Sequence, residues 1–133
     1  MRPTDGKPWG VAATPYEEIG GEDAVRRLVE TFYDRIDAES AELRAMLPRD
    51  DTGSRQKLFE FLSGWLGGPQ LYIERRGHPK MRLRHLPFAI GSSEAEEWLR
   101  CMGEAMNDCG LTGPLRDYLD VRFGQMATHM VNQ

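Results

Sequence analysis

The stretch "VRRLVETFYDRI", residues 25–36, decides the fold class of this chain. Its apolar residues recur every three or four positions, which places them on one face of an α-helix. Gly20 and Gly21 stand before the stretch and break the preceding structure. The pattern predicts an amphipathic helix with one buried face.

Two further segments repeat this apolar spacing. The first covers residues 58–65, and Gly67-Gly68-Pro69 follows it as a sharp helix stop. The second runs from about residue 114 to Met130, with Pro114 suited to the first helical turn. Both segments are therefore predicted to be long helices.

Another helix, the third of the four along the chain, is predicted around residues 98–109. Ser92 or Ser93 is expected to cap its N-terminus, and Gly110 to close it. No segment of the chain shows the strict apolar–polar alternation typical of a β-strand. The sequence therefore predicts an all-α domain built from four main helices.

Length and composition indicate one ordinary globular domain. The chain has 133 residues and a formal net charge of −4, which gives no support to nucleic-acid binding. Residues 1–14 are rich in Pro, Gly and Thr and are predicted to be an N-terminal extension, with residues 15–133 as the domain. No signal peptide and no membrane-spanning run is evident, so we expect a cytoplasmic monomer or homodimer that contacts no membrane. Cys101 and Cys109 are interpreted as core residues.

The irregular segment 67–91 is the candidate functional region, because a long loop inside a compact domain usually has a function. One of its two histidines, His85, is flanked by Met81 and Phe88 if residues 79–86 form a short helix after Pro79, and the other is His78. An imidazole that projects from such a helix into an apolar cavity is the arrangement that haem iron requires. The pattern therefore points to His85 as an axial haem ligand.

The basic residues beside His85 fit the same hypothesis. A haem carries two propionates, and arginine can bind a carboxylate through two parallel hydrogen bonds. Tyr33 and Trp98, on the first and third helices, are core aromatic residues unless they face the cavity, where they would be hydrogen-bond donors opposite His85. Zinc, Ser/His/Asp hydrolase and phosphate-cradle patterns are not supported by the spacing of the residues.

Six segments, taken in order, give the chain a resemblance to a known family. They are "PYEEIGG", "LVETFYDRI", "FLSGWLGGPQLY", "RGHPKMRLRHLPFAI", "EEWLRCMGEAM" and "ATHMVNQ". The ordered set covers residues 15 to 133 and resembles the group II truncated haemoglobins of bacteria. The resemblance implies a truncated globin fold, a two-over-two helical sandwich that encloses haem b.

The resemblance also implies roles for particular residues. The proximal ligand of the family corresponds to His85, and its distal tyrosine and cavity tryptophan correspond to Tyr33 and Trp98. Two further distal-helix positions correspond to Ser54 and Leu58. The residues expected to line the haem are Phe61, Leu62, Trp65, Tyr72, Met81, Phe88 and Ile90, with Arg84 as the main propionate partner and Arg82 and Tyr72 as lesser ones.

One distal position departs from the family pattern. Leu47 stands where an aromatic residue or histidine is common, which leaves Tyr33 as the hydroxyl donor with Trp98 and Ser54 beside it. Ser54 has an alternative role as the cap of its helix, in competition with Asp50, Asp51 and Thr52.

The function implied is the binding of O₂, NO or CO by ferrous haem, with an unidentified reductase as a further partner. A haem-based redox enzyme, of peroxidase-like or nitric-oxide-converting activity, and a ligand sensor remain as alternatives.

Overall fold

A computed structural model describes residues 6–78 and 91–131 of the chain. Helices account for most of these residues, and the described part of the chain contains no strand beyond one isolated bridge between Lys7 and Gly10. The helices are α1 Pro15–Ile19, α2 Glu22–Glu39, α3 Ala41–Arg44, α4 Thr52–Trp65, α5 Leu71–Arg76, α6 Ser92–Asp108 and α7 Gly113–Met130. The four long helices α2, α4, α6 and α7 confirm the predicted all-α class.

The long helices form two packed pairs. Helix α2 packs against α4 and also against α6, and α6 packs against α7. This arrangement is the two-over-two helical sandwich. The short helix α5 packs on α4 and belongs to the predicted functional segment 67–91.

Helix α2 lies at the centre because its whole apolar face is enclosed. Val25, Leu28 and Val29 have no exposed surface, and Phe32 and Ile36 are almost fully buried. These are the positions that the sequence spacing predicted. Burying aliphatic and aromatic side chains of this size stabilises the fold by about 1.5–3 kcal/mol each.

Glycines end two of the long helices as predicted. Gly67 after α4 and Gly110 after α6 have φ angles of +93° and +73°, a left-handed conformation that glycine adopts without a Cβ clash. The next residue then donates its N–H back into the last turn, from Gly68 to Ser63 O (2.8 Å) and from Leu111 to Met106 O (3.0 Å). Both helix stops are therefore local properties of the sequence.

The prediction for the start of α6 was wrong by one residue. Gly91 is the N-cap, and Ser92 is already the first helical residue. The carboxylate of Glu94 accepts a hydrogen bond from the Gly91 N–H at 2.6 Å. The acidic side chain thus satisfies the free backbone donor from inside the helix, and a serine cap is not required.

An aromatic contact attaches the N-terminal segment to α7. The Trp9 ring packs edge-on against Tyr118 of α7, with ring centroids 5.3 Å apart. Within residues 6–78 and 91–131, no helix has both the length and the apolar character needed to cross a bilayer.

Candidate functional site

The two predicted donors meet at one phenylalanine. Tyr33 on α2 and Trp98 on α6 each pack edge-on against Phe32, with centroid separations of 5.2 and 5.1 Å. Tyr33 is 8% exposed, whereas Trp98 is half-buried at the edge of the core. The packing of α2 on α6 therefore brings the two donors into one aromatic cluster.

The start of α4 lies beside the Tyr33 hydroxyl. This hydroxyl donates a long hydrogen bond of 3.4 Å to the backbone carbonyl of Ser54. Asp51 occupies the N-cap position of α4, and Ser54 lies in the first helical turn. Ser54 is therefore not the cap, and it contacts Tyr33 through its main chain.

Two charged residues surround the Tyr33 ring. The Arg55 guanidinium carbon lies 5.5 Å from the ring centroid, and the Arg55 Nε donates to Asp51 Oδ1 at 3.0 Å. Burial raises the pKa of Tyr33, the Asp51 charge raises it further, and Arg55 only partly opposes them, so that the pKa reaches about 12. Tyr33 is therefore a neutral phenol at physiological pH and can donate a hydrogen bond.

The second carboxylate oxygen of Asp51 is buried without a hydrogen bond from any described residue. Among the residues that the structure describes, Asp51 Oδ2 is the buried side-chain oxygen that no hydrogen bond reaches. Its negative charge is favoured by the N-terminus of α4, where the backbone N–H groups point outward.

An aromatic wall continues along α4 towards α5. Phe61 and Trp65 stack with centroids 6.3 Å apart, and Tyr72 of α5 meets Phe61 edge-on at 6.4 Å. Leu58, Phe61 and Trp65 are half-buried and pack on the core at their inner edges. Together with Tyr72, these residues form one apolar surface along α4 and α5.

Two other predicted residues occupy different environments. Leu62 has no exposed surface and lies inside the hydrophobic core. Leu47 follows the short helix α3 and is half-buried against the core. Leu47 brings an aliphatic side chain, so it adds no hydrogen-bond donor to this region.

A cavity of about 120 Å³ opens between α4 and α5. Phe61, Trp65 and Tyr72 line it together with polar atoms of Glu60 and Gln70. The volume is below that of a pocket for a drug-sized ligand, which is roughly 300–1,000 Å³. This cavity by itself is therefore too small to hold a haem.

The sequence interpretation missed a buried charge next to this cavity. Glu60 is 1% exposed, and it accepts hydrogen bonds from Arg76 (2.7 Å), Arg75 (3.0 Å) and Gln56 (2.8 Å). Burial alone would raise the pKa of Glu60, but these donors outweigh it and lower the pKa to about 2. The sequence held one signal for this site, because Glu60 interrupts the apolar run "LFEFL" of residues 58–62.

The proximal side of the predicted site lies outside the described residues. This holds for the predicted axial ligand, for both predicted arginine partners and for three lining residues, namely His85, Arg82, Arg84, Met81, Phe88 and Ile90. Their roles remain predictions.

The described residues fit a haem. The macrocycle is apolar, and the Phe61–Trp65 stack with the edge-on Tyr72 ring offers an apolar surface of matching chemistry. On the side of α2 and α6, Tyr33 and Trp98 carry O–H and N–H donors at the edge of an otherwise apolar core. Distal donors of this kind are one of the means by which a protein controls ligands of haem iron.

Fold and side chains together define a globin, and comparison with known proteins agrees. Residues 14–132 match the family model described as bacterial-like globin. The chain is 47% identical to group 2 truncated hemoglobin YjbI of Bacillus subtilis (strain 168) over 119 residues, which cover 90% of this chain and 89% of that protein.

Solved structures show the same likeness. The crystal structure of the group II truncated hemoglobin from Bacillus anthracis is 44% identical and superposes with a TM-score of 0.89, covering 92% of this chain and 98% of that one. A truncated oxygen-avid haemoglobin from Bacillus subtilis is 46% identical, with a TM-score of 0.85 and coverage of 90% and 99%. The chain belongs to the group II truncated haemoglobins of the bacterial-like globin family, and membership implies that it binds haem.

Proposed function

We propose that this protein binds O₂, or a related diatomic ligand such as NO or CO, at five-coordinate haem b, with Tyr33 and Trp98 as the distal hydrogen-bond donors. One observation carries the proposal. The two donors pack on the same Phe32 ring, one from α2 and one from α6. A structure described as oxygen-avid, that of the Bacillus subtilis relative, supports O₂ as the ligand.

The chain would contribute the apolar wall, the axial imidazole and the distal donors. Haem iron, when bound, supplies the atom to which the diatomic ligand attaches. His85 is the proposed axial ligand, with Arg84 as main propionate partner and Arg82 and Tyr72 as lesser ones. Met81, Phe88 and Ile90 are proposed to complete the lining that Phe61, Trp65 and Leu58 begin.

Tyr33 is suited to the role of donor because its proton is held firmly. The raised pKa of Tyr33 keeps the phenol neutral, and its 3.4 Å hydrogen bond to Ser54 O is weak enough to be exchanged for a bond to a ligand. A ligand that carries partial negative charge would gain most from this exchange. Leu47 and Leu58 keep the rest of the distal side apolar and limit competing water.

Rates of ligand release test this assignment directly. In Tyr33→Phe and Trp98→Phe, O₂ should leave the reduced protein about five- to tenfold faster than in the wild type, because each neutral hydrogen bond contributes about 1 kcal/mol. The measurement is stopped-flow O₂ dissociation on haem-loaded protein whose absorption spectrum is checked first.

Tyr16→Phe is the matched control, since Tyr16 lies on α1 and makes no ring contact with Tyr33 or Trp98 among the described contacts. It should release O₂ at the wild-type rate. Wild-type rates in both Tyr33→Phe and Trp98→Phe would contradict the distal-donor assignment.

A further inference from the structure

A line of ring contacts runs from the distal donors to the N-terminal segment. Every neighbouring pair lies in contact, and the order is Tyr33, Phe32, Trp98, Phe123, Trp65, Arg122, Tyr118 and Trp9. Centroid separations are 5.6 Å for Trp98–Phe123 and 5.0 Å for Phe123–Trp65. Trp65 also belongs to the apolar wall, so the line passes the haem site itself.

The outer end of this line has a fixed position. The Trp9 indole N–H donates to Ala12 O at 2.9 Å, and its ring meets Tyr118 at 5.3 Å. The Glu18 carboxylate accepts hydrogen bonds from the N–H groups of Val11 (3.0 Å) and Ala12 (2.8 Å). Trp9 is therefore held against α7 although it lies outside every helix, and it remains partly exposed to solvent.

Arg122 lies between the Trp65 and Tyr118 rings. Its guanidinium carbon lies 4.9 Å from the Trp65 ring centroid and 5.5 Å from that of Tyr118, and it donates a hydrogen bond to the Tyr118 hydroxyl. A positive charge at this distance disfavours a cation radical on Trp65. A tyrosine that loses an electron also loses its phenolic proton, here to solvent because Tyr118 is only half-buried, and takes a proton back when it is reduced again. Its radical is therefore neutral and is penalised less. An oxidising equivalent at Trp65 is thus driven outward, towards Tyr118 and Trp9.

We propose that Trp65, Tyr118 and Trp9 form an electron-transfer path between the haem site and the protein surface, with Trp9 as the site where a small phenolic donor gives up electrons to hydrogen peroxide. Reduction of one hydrogen peroxide to two waters takes two electrons and two protons. Each electron enters at Trp9 from one phenol, which becomes a phenoxyl radical and releases its proton to water. The inference rests on haem binding by this chain, but not on the assignment of Tyr33 and Trp98 as donors.

Radical trapping locates the path without relying on turnover. Haem-loaded protein is mixed with hydrogen peroxide and a nitroso or nitrone spin trap in the absence of phenol, and the adducts are mapped by peptide mass spectrometry. The wild type should carry its principal surface adduct on Trp9. In Tyr118→Phe, which keeps the ring but removes its oxidisable hydroxyl, most of the Trp9 adduct should be lost. In Trp9→Phe the adduct should move to Tyr118.

Two controls exclude other origins of the adduct. Tyr16→Phe should leave the Trp9 adduct unchanged, because Tyr16 lies outside the line. Cyanide added before peroxide occupies the haem iron and should abolish the adduct, whereas direct oxidation of an exposed indole would persist.

The charge of Arg122 gives a second, independent test. In Arg122→Gln, the adduct should shift from Trp9 towards Trp65, because the positive charge that drives the oxidising equivalent outward is gone. Arg116→Gln is the matched control on the same helix, since Arg116 pairs with Asp120 and contacts no ring among the described residues. It should leave the distribution of adducts as in the wild type.

Equal Trp9 adduct in wild type and Tyr118→Phe would overturn the path, as would a principal adduct on Tyr16. Each variant is first checked for its haem absorption band and its circular dichroism. Failure to bind haem would appear in that band, and failure of the distal-donor assignment would appear in the O₂ release rates. These two readouts distinguish a loss of haem binding or a wrong distal-donor assignment from failure of the electron path.

Discussion

The two ends of α4 carry opposite arrangements of charge. At the N-terminal end, one guanidinium, that of Arg55, is shared by the carboxylates of Glu30, Asp34, Asp37 and Asp51. At the C-terminal end, one carboxylate, that of Glu60, is shared by Arg75 and Arg76. We call these groups the Arg55 cluster and the Glu60 cluster.

The two clusters have opposite effects on the protons of the side chains next to them. The Arg55 cluster has a surplus of negative charge, which helps to keep the proton on Tyr33. The Glu60 cluster has a surplus of positive charge, which removes the proton from a buried acid and ties α5 to α4. Burial is the largest cause of the raised pKa of Tyr33, with the Asp51 charge adding to it, whereas the donors around Glu60 outweigh burial and lower its pKa.

Of the three changes considered, neutralising Glu60 should lower the free energy of unfolding the most. The pKa of Glu60 falls from 4.5 to about 2 on folding, so its ionisation stabilises the fold above pH 4.5 and this contribution is lost as the pH falls towards 2. A shift of this size corresponds to roughly 3 kcal/mol. Glu60→Gln should therefore be less stable than the wild type at pH 7, and the difference should vanish near pH 2.

Urea unfolding at a series of pH values measures this difference. Glu74→Gln is the control, because Glu74 is an exposed residue of α5 and should leave the pH profile unchanged. A constant gap between Glu60→Gln and the wild type from pH 7 to 2 would show that packing, not charge, is responsible.

Removing the charge of Arg55 should lower the free energy of unfolding by an intermediate amount. The Arg55 side chain is only 16% exposed, and without it four carboxylates repel one another across α2 and α4. Arg55→Met should lose about 2 kcal/mol of unfolding free energy, since breaking a fully buried pair costs about 3–5 kcal/mol and this one is partly solvated. Added salt should restore part of the loss, because it screens the repulsion.

Asp34→Asn is the matched control for that experiment. Asp34 belongs to the same cluster but its side chain is 70% exposed, so its loss should change the stability by less than about 0.5 kcal/mol. Insensitivity of Arg55→Met to salt would argue against the electrostatic account.

The smallest effect is expected for Asp51→Asn, which changes the pKa of the Tyr33 phenol. In Asp51→Asn the pKa of Tyr33 should fall below its value of about 12, but burial should still hold it above 10. A raised pKa means that Tyr33 stabilises the fold below pH 10 and that this contribution is lost as the pH rises towards 12. The variant should therefore be less sensitive to alkaline unfolding over this interval.

Tyrosinate absorbance, with the Tyr33→Phe signal subtracted, reports this pKa. Asp50→Asn is the control, because the Asp50 carboxylate bonds to Thr52 and not to Arg55. An unchanged pKa of Tyr33 in Asp51→Asn would show that the Arg55 cluster does not influence the pKa of the distal donor.

The fold was largely predictable from the sequence because its signals are local. Apolar spacing in residues 25–36 predicted the buried face of α2, and Gly67 and Gly110 predicted two helix stops. The N-cap of α6 was misassigned because Glu94, three residues into the helix, supplies the capping group that a serine usually provides. The family was recognised from ordered motifs along the same chain.

The candidate site was predictable only in part. Tyr33 and Trp98 were expected to be distal donors, a role that stays a prediction, and their meeting at Phe32 follows from the packing of α2 on α6. The partners of Arg55 and Glu60 on other helices were not predictable, because no spacing rule links Glu30 to Arg55 or Glu60 to Arg76. Those pairs depend on where neighbouring helices lie against α4.

The sequence by itself therefore determined the helices, their buried faces, their glycine ends and membership of the globin family. These features depend on the conformational preferences of a few adjacent residues and on a repeat of 3.6 residues. Only the tertiary structure decided which charges surround Tyr33 and Glu60, and which rings connect Trp98 to Trp9. Electrostatic and ring contacts act over a few ångströms between separate helices, so they exist only once those helices have packed.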